Sequence, residues 1–272
     1  MAHIHTYLIN GSFDTTISPL DRGFAYGDGI FRTMKVINGM PEYWPQHYQK
    51  LVADCAAINI VCPSAELLMS DIQALYTPTD TAVCKIIITR GEGERGYAPP
   101  AITAPMRVVL KTALRTYPAN YFSEGVSLHV CKTQLARQPQ LAGIKHLNRL
   151  ENVLARMEWT DTNIADGILC DAENNVIECT AANIFARFGN TLVTPCLINC
   201  GVTGITRQHI IDIAHLVPLI VKIEPISLTQ LFLADEVIIC SSIYGAWQVK
   251  KIMQHTWAPN NLASTLRKLI KT

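Results

Sequence analysis

The sequence predicts an α+β chain organised as two domains. Three observations carry this expectation. Strand signals closed by tight turns alternate with two amphipathic helical periodicities in the first third. A segment from Ala113 to Phe122 then interrupts the pattern as a linker. Beyond it, several short strands with clear turn residues replace the longer helices. The 272 residues exceed a typical single domain and suit one large or two moderate domains. The expected boundaries are residues 1–115 for a small N-terminal α/β domain and 123–272 for a larger C-terminal domain.

In the first domain, Tyr7 to Gly11 reads as a short strand entering a turn. Thr33 to Ile37 reads as a strand, and Asn38-Gly39 behind it is a hairpin signal. A helix is expected from about Pro45, with Tyr48, Leu51, Val52, Cys55 and Ile58 on one face. A second helix fits Ser64 to Leu75, with Ser64 as its cap. Ala82 to Ile88 and Met106 to Leu110 read as strands, joined by a Gly- and Pro-rich loop that includes Arg90 to Tyr97.

In the second domain, Val126 to Val130 reads as a strand. Asn148 to Thr160 reads as a helix with Leu150, Val153, Leu154 and Met157 facing inward. Short strands follow at Gly167–Cys170, Asn175–Ile177, Asn183–Arg187 and Thr191–Thr194, separated by turn residues such as Gly189-Asn190. Gly201 to Gly204 opens a helix running to about His215. Val237 to Cys240 is expected as the last apolar strand, ending at Ser241-Ser242.

Composition narrows the function classes. Hydrophobic residues are 49% and charged residues 17%, so the chain can bury a sizeable core. The formal net charge of +1 leaves no electrostatic footprint for nucleic acid or an anionic membrane, which points to a small-molecule partner or a second copy of the chain. Nine cysteines are scattered without metal spacing. Cys196 and Cys200 stand alone as a pair, so no metal is expected and most cysteines read as small core residues. The segment Met-Ala-His-Ile-His-Thr-Tyr lacks a basic region followed by an apolar stretch, and no apolar run reaches transmembrane length. A reduced, cytoplasmic protein is expected.

A few side chains could carry chemistry. Lys145 lies in Leu141-Ala-Gly-Ile-Lys-His-Leu-Asn-Arg-Leu150, at an element junction. Desolvated in a cleft it would become a usable amine nucleophile; exposed, it would be an ordinary snorkelling lysine. Gly201-Val-Thr-Gly-Ile-Thr-Arg207 would bind a phosphate if its backbone N–H groups point outward at a helix start, and would otherwise be a plain capped helix after a turn. Ser241 and Ser242 could add donors, or simply end a strand. Glu178, among apolar neighbours, needs a partner if buried, and none if its strand face is exposed. Arg95, on a Gly-rich loop, could clamp a carboxylate or be solvated. Asp21-Arg-Gly-Phe-Ala-Tyr-Gly-Asp-Gly-Ile-Phe-Arg-Thr33 is glycine-rich without dinucleotide spacing and shows only that the backbone turns tightly.

Together these segments resemble the fold type IV pyridoxal-phosphate family, which contains D-amino-acid and branched-chain aminotransferases and 4-amino-4-deoxychorismate lyases. The resemblance runs through Asp21-Arg-Gly23, Tyr26 to Thr33, Thr89 to Tyr97, Leu141 to Glu151, Glu178 to Phe185 and Gly201 to Gln208. It implies a two-domain D-amino-acid-aminotransferase-like fold with pyridoxal 5'-phosphate at the domain interface, held by the C-terminal domain, and a homodimer. It implies that Lys145 binds the cofactor covalently and shuttles protons, and that Glu178 pairs with the pyridine nitrogen. It further implies that Ile205 and Thr206 hold the phosphate, with Ser241 and Ser242 beside them, and that Thr33 assists proton transfer. Arg95 and Tyr97 fall where substrate is bound, and Arg149 where the branched-chain enzymes place a tyrosine. One departure stands out: Lys50 occupies a position where the family usually has a phosphate-binding arginine, keeping the charge but losing the fork.

Leu141 to Glu151 is similar to the lyase branch. That likeness implies a carbon–oxygen lyase acting on 4-amino-4-deoxychorismate to give 4-aminobenzoate, a folate precursor, and pyruvate. The rivals are a class IV aminotransferase acting on D-amino or branched-chain amino acids and a non-catalytic phosphate-ligand binder on the same scaffold.

Overall fold

The computed structural model describes residues 6–270. The first five residues, within the segment read for a leader, lie outside it. The chain divides into two compact units: one takes the chain up to Arg115 together with Ile144–Asn148, the other Thr116–Gly143 and the chain from Arg149 onward.

The first unit contains β1 (Thr6–Ile9), α1 (Arg22–Tyr26), β2 (Gly29–Ile37), β3 (Met40–Pro41), α2 (Trp44–Ala57), α3 (Ala65–Leu75), β4 (Ala82–Thr89) and β5 (Met106–Ala113). Its sheet runs β1-β5-β4-β2-β3, and every neighbouring pair is antiparallel. Strict alternation along β2 buries Ile30, Arg32, Met34 and Val36, and Ala82, Cys84, Ile86 and Ile88 of β4 join them. Leu51 and Cys55 of α2 and Leu68 and Ile72 of α3 complete this core. The β2–β3 turn is made by Asn38 at φ 51° and Gly39 at φ 76°, the positive pair that a two-residue hairpin turn requires. Pro45 stands in the first turn of α2 and Ser64 caps α3 by accepting Leu67 N–H. The expected apolar face of α2 needs one correction. Val52 is exposed, whereas His47 and Asp54 are buried beside Leu51 and Cys55.

The second unit contains α4 (Asn120–Ser123), β6 (Val126–Leu135), α5 (Leu150–Arg156), β7 (Ile164–Asp171), β8 (Asn175–Cys179), β9 (Asn183–Phe188), β10 (Thr191–Thr194), α6 (Ile205–Ile213), β11 (Ile220–Ile223), β12 (Ile226–Ser227), α7 (Leu228–Leu231), β13 (Glu236–Ser241), β14 (Gly245–Ile252), β15 (His255–Thr256) and α8 (Leu262–Ile270). A mixed sheet runs β11-β10-β9-β13-β14-β6-β7-β8-β12, with β15 on β14. The parallel neighbours β6, β7 and β14 lie at its centre, and β7 is buried without a break from Asp166 to Asp171. Ile168, Ile184, Val237, Trp247 and Val249 form its core.

Two expectations fail here. Val237–Cys240 is not the last strand, because β14 follows it with Gln248 among its buried residues. Leu150, Val153 and Leu154 do share one face of α5, with Met157 just past its end, but that face points outward and all four are exposed. Amphipathic spacing reports that residues share a face, not which way the face turns. The cysteines are all free, seven of the nine buried, and no group of metal-ligating side chains forms among the described residues. No described helix is long and apolar enough to cross a membrane.

Candidate active site

In the first unit, the Lys145 segment lies alongside the start of β2. Phe31 N–H donates to Lys145 O at 2.9 Å and Leu147 N–H to Gly29 O at 2.9 Å, and Ile144 enters the core. This pairing fixes the backbone on both sides of Lys145. The side chain is half-buried, with Nζ 4.7 Å from the Phe31 ring centroid, so a fully exposed snorkelling lysine is ruled out. Lys85 Nζ lies 4.8 Å from the same ring, and burial lowers its pKa. Thr33 is two residues along the Phe31 face of β2, opposite Lys85 in the register.

Beneath the Lys145 backbone is Asp54, 1% exposed. Its Oδ2 accepts Lys145 N–H at 3.3 Å. The same carboxylate receives the Arg32 guanidinium and the Lys50 ammonium. Burial lowers the pKa of Lys50 and of Arg32, and the Asp54 charge opposes both shifts. Lys50 and Asp54 are one helical turn apart, so α2 carries Lys50 towards the Lys145 segment.

Arg95 and Tyr97 project from the β4–β5 loop, Tyr97 being 85% exposed. The loop backbone is tied to Arg22, whose guanidinium reaches Gly96 O, Tyr97 O and Ala98 O.

In the second unit, Glu178 is 3% exposed, which removes the exposed-face reading. Its Oε2 accepts Val202 N–H at 2.8 Å. Gly201 reaches this position at φ 85°, and a Cβ there would come within 2.7 Å of Ile177 and 2.8 Å of Leu197, so only glycine fits. Asp166, whose pKa burial raises, holds the turn after Glu178 by accepting Gly167 N–H, Thr180 O–H and Ala181 N–H. The Gly201 loop continues into α6. Gly204 caps it without a side-chain bond, and its backbone packs so closely on Asn183 that a Cβ would meet Oδ1 at 2.2 Å. Asn183 Nδ2 donates to Val202 O at 2.8 Å, and Arg207 anchors the helix to Thr194 Oγ1 and Pro195 O. Thr206 Oγ1 donates to Ser242 Oγ at 3.4 Å. Ser241 Oγ accepts Ile243 N–H. Gly143 meets the same loop, donating to Gly201 O at 2.9 Å and accepting from Thr203 N–H at 3.2 Å. Arg149 is the residue before α5 and makes no side-chain cap there.

The structure therefore gathers Lys145, Lys50 and Thr33 around β2 and α2, and separately gathers Glu178, Ile205, Thr206 and Ser242 around the Gly201–Gly204 loop. Asp54, Arg32, Phe31 and Lys85 escaped the reading of the sequence. Two signals for them existed: Arg32 interrupts an apolar alternation between Ile30 and Met34, and Lys50 and Asp54 carry opposite charges at i,i+4.

Residues 29–252 match the sequence model of the family described as Amino-transferase class IV. The chain belongs to this family. Among its relatives, the aminodeoxychorismate lyase of Vibrio harveyi is 35% identical over 94% of this chain and 93% of its own. The D-alanine aminotransferase of Listeria innocua is 34% identical over 84% of this chain and 80% of its own. The crystal structure of 4-amino-4-deoxychorismate lyase from Pseudomonas aeruginosa superposes with a TM-score of 0.91 at 37% identity, covering 97% of this chain and 98% of that one. The class IV assignment and the two-domain fold expected from the sequence agree with these likenesses.

Proposed function

We propose that this class IV family member is a pyridoxal-phosphate-dependent lyase that converts 4-amino-4-deoxychorismate to 4-aminobenzoate and pyruvate. The observation that carries the reading is the Gly201–Gly204 loop that leads into α6. Val202 N–H of this loop bonds the buried Glu178 carboxylate, and the loop ends at a helix start without a side-chain cap. A carboxylate suits a protonated pyridine nitrogen, and a helix N-terminus suits a phosphate. The residues present thus fit the two chemically opposite ends of pyridoxal phosphate.

Ile205 and Thr206 N–H groups would hold the phosphate, with Ser241 and Ser242 beside Thr206. Lys50 adds positive charge as an ammonium where a guanidinium fork is usual. Glu178 would keep a proton on the pyridine nitrogen. When bound, pyridoxal phosphate supplies the electron sink that stabilises negative charge on carbon. Lys145 would hold the group covalently through Nζ; released by the substrate amine, that nitrogen would take the proton from the ring carbon bearing nitrogen. Loss of the enolpyruvyl oxygen from the ring then makes the ring aromatic and yields pyruvate after protonation, so atoms balance without a co-substrate. Thr33, on the Phe31 face of β2, would assist that proton, Arg95 and Tyr97 would meet the substrate, and Arg149 would line the site. A homodimer in the cytoplasm completes the reading. The outward apolar stripe of α5 supports the dimer, since contiguous exposed apolar surface marks an interface.

Incubation of the protein with 4-amino-4-deoxychorismate, followed by assay of both products, decides the matter. Equimolar 4-aminobenzoate and pyruvate are expected. The similarity to a D-alanine aminotransferase favours one rival, tested by offering D-alanine or a branched-chain amino acid with 2-oxoglutarate. Rapid transamination without pyruvate release from aminodeoxychorismate would replace the lyase reading.

A further inference from the structure

Arg22 is buried, 4% exposed, at the start of the five-residue helix α1. The helix itself is pinned. Asp21 accepts Phe24 N–H at 3.0 Å and Thr89 O–H at 2.6 Å, and Gly23 packs so tightly on Thr89 that a Cβ would fall 2.3 Å from Cγ2. From this fixed base the Arg22 guanidinium reaches in two directions. Its Nε donates to Asp28 Oδ2 at 2.8 Å. Its terminal nitrogens donate to Gly96 O at 3.0 Å, Tyr97 O at 2.9 Å and Ala98 O at 3.4 Å.

Asp28 is itself shared. Arg90 donates to both its oxygens, at 2.7 and 3.0 Å, and Arg90 in turn grips Ile58 O and Asn59 O behind α2. Burial pushes the Asp28 carboxyl up, but the hydrogen bonds from Arg90 and Arg22 outweigh it and hold its pKa below the usual value. Two further tethers reach the same loop. Gly96 N–H donates to Tyr26 Oη at 3.2 Å, and the Tyr26 and Tyr97 rings stand 5.5 Å apart. The loop backbone is therefore held, while the side chains of Arg95 and Tyr97 remain exposed.

We infer that Arg22 is a positioning residue that holds the segment Glu92–Ala98 and thereby presents Arg95 to a carboxylate of the substrate. The presentation half rests on the proposed lyase function; the holding half does not. A lysine would keep the charge of Arg22 but could not fork to Asp28 and three consecutive carbonyls.

The test uses the pyridoxal-phosphate-loaded protein and the variants Arg22→Lys, Tyr26→Phe and Arg95→Ala. Hydrogen exchange and trypsin cleavage after Arg95 report on the loop; KM and kcat with aminodeoxychorismate report on presentation. For Arg22→Lys, exchange in Glu92–Ala98 is expected to rise about ten-fold, the effect of losing one to two net hydrogen bonds. Cleavage after Arg95 should appear, α2 and α3 should be unchanged, and KM should rise with little change in kcat. Arg95→Ala should raise KM without loosening the loop. Unchanged exchange and cleavage in Arg22→Lys would overturn the inference, as would a loosened loop with an unchanged KM. If Arg22→Lys does not fold, Tyr26→Phe decides: faster exchange confined to the same segment supports the inference, and no change overturns it. Failure of the wild-type protein to turn over aminodeoxychorismate would remove the lyase reading, while the exchange data would still decide what Arg22 holds.

Discussion

At the scale of single residues, Lys145 and Glu178 differ in how their neighbourhoods constrain them. Lys145 is fixed through its backbone, by β2 on one side and Asp54 on the other, while its amine faces an aromatic ring. Truncation should therefore spare the fold. Lys145→Ala is expected to abolish turnover and the borohydride-stable mass addition seen with pyridoxal phosphate, with an unchanged circular dichroism spectrum. Full turnover without an added amine would refute its role. Glu178 is fixed through its carboxylate, in a site where only glycine fits at Gly201. Glu178→Ala should retain the covalent addition at Lys145 but lose most of the carbanion step, read as slowed exchange of the substrate proton with solvent. A near-normal rate would show that the nitrogen pairs elsewhere.

At the scale of elements, two acids, one buried and one half-buried, hold strands and helices in register. Asp54 joins α2 to β2 and to the Lys145 segment, and its loss would leave Arg32 buried without its counter-charge. Breaking such a pair by removing one partner costs about 3–5 kcal/mol, so Asp54→Ala should lower the urea midpoint of the first unit strongly. A shift too small to measure would mean that Arg32 finds other partners. In the second unit, Glu158 follows α5 and accepts Lys132 N–H at 2.7 Å, Thr133 N–H at 2.8 Å and Thr133 O–H at 2.7 Å, in the irregular stretch of β6 between Val130 and Gln134. Burial pushes its pKa up, but those donors and His129 bring it down to about 2. A depressed carboxyl stabilises the fold above its ordinary pKa of about 4.3, and the contribution is lost as pH falls towards about 2. Glu158→Gln should accordingly be less stable than wild type near neutral pH, with the gap closing through that acidic window. A gap independent of pH would point to packing rather than charge.

At the scale of the whole molecule, the exposed stripe of α5, with Leu150 at 74%, is a feature that a lone chain leaves unexplained. If it belongs to a homodimer, Leu154→Glu should shift the sedimentation coefficient towards that of a 30.1 kDa monomer. An unchanged dimer would place the interface elsewhere, and a wild-type monomer would remove the dimer from the proposal. The family match and the likeness to two lyases over nearly the full chain hold at this scale too, since they depend on many segments in one order rather than on one motif.

Much of the fold could be read from local chemistry. The Asn38-Gly39 turn, the Ser64 cap, the β4 alternation and the Gly201–Gly204 entry to α6 each depend on a few adjacent residues whose φ, ψ or capping needs are intrinsic. The candidate site residues were likewise legible as types in a recurring order. The direction in which a periodic face turns was not legible, as α5 demonstrates, because packing partners decide it. Nor were the partners of buried charges: Asp54 lies 91 residues before Lys145 in the chain, and Arg22 lies 74 to 76 residues before the carbonyls it grips. The sequence by itself determined the two-domain α+β class and, through its family resemblance, the residues proposed to meet a phosphate, a pyridine nitrogen and an amine. Only the tertiary structure decided which carboxylate supports Lys145 and which arginine holds the Arg95 loop, because both depend on contacts that no local window contains.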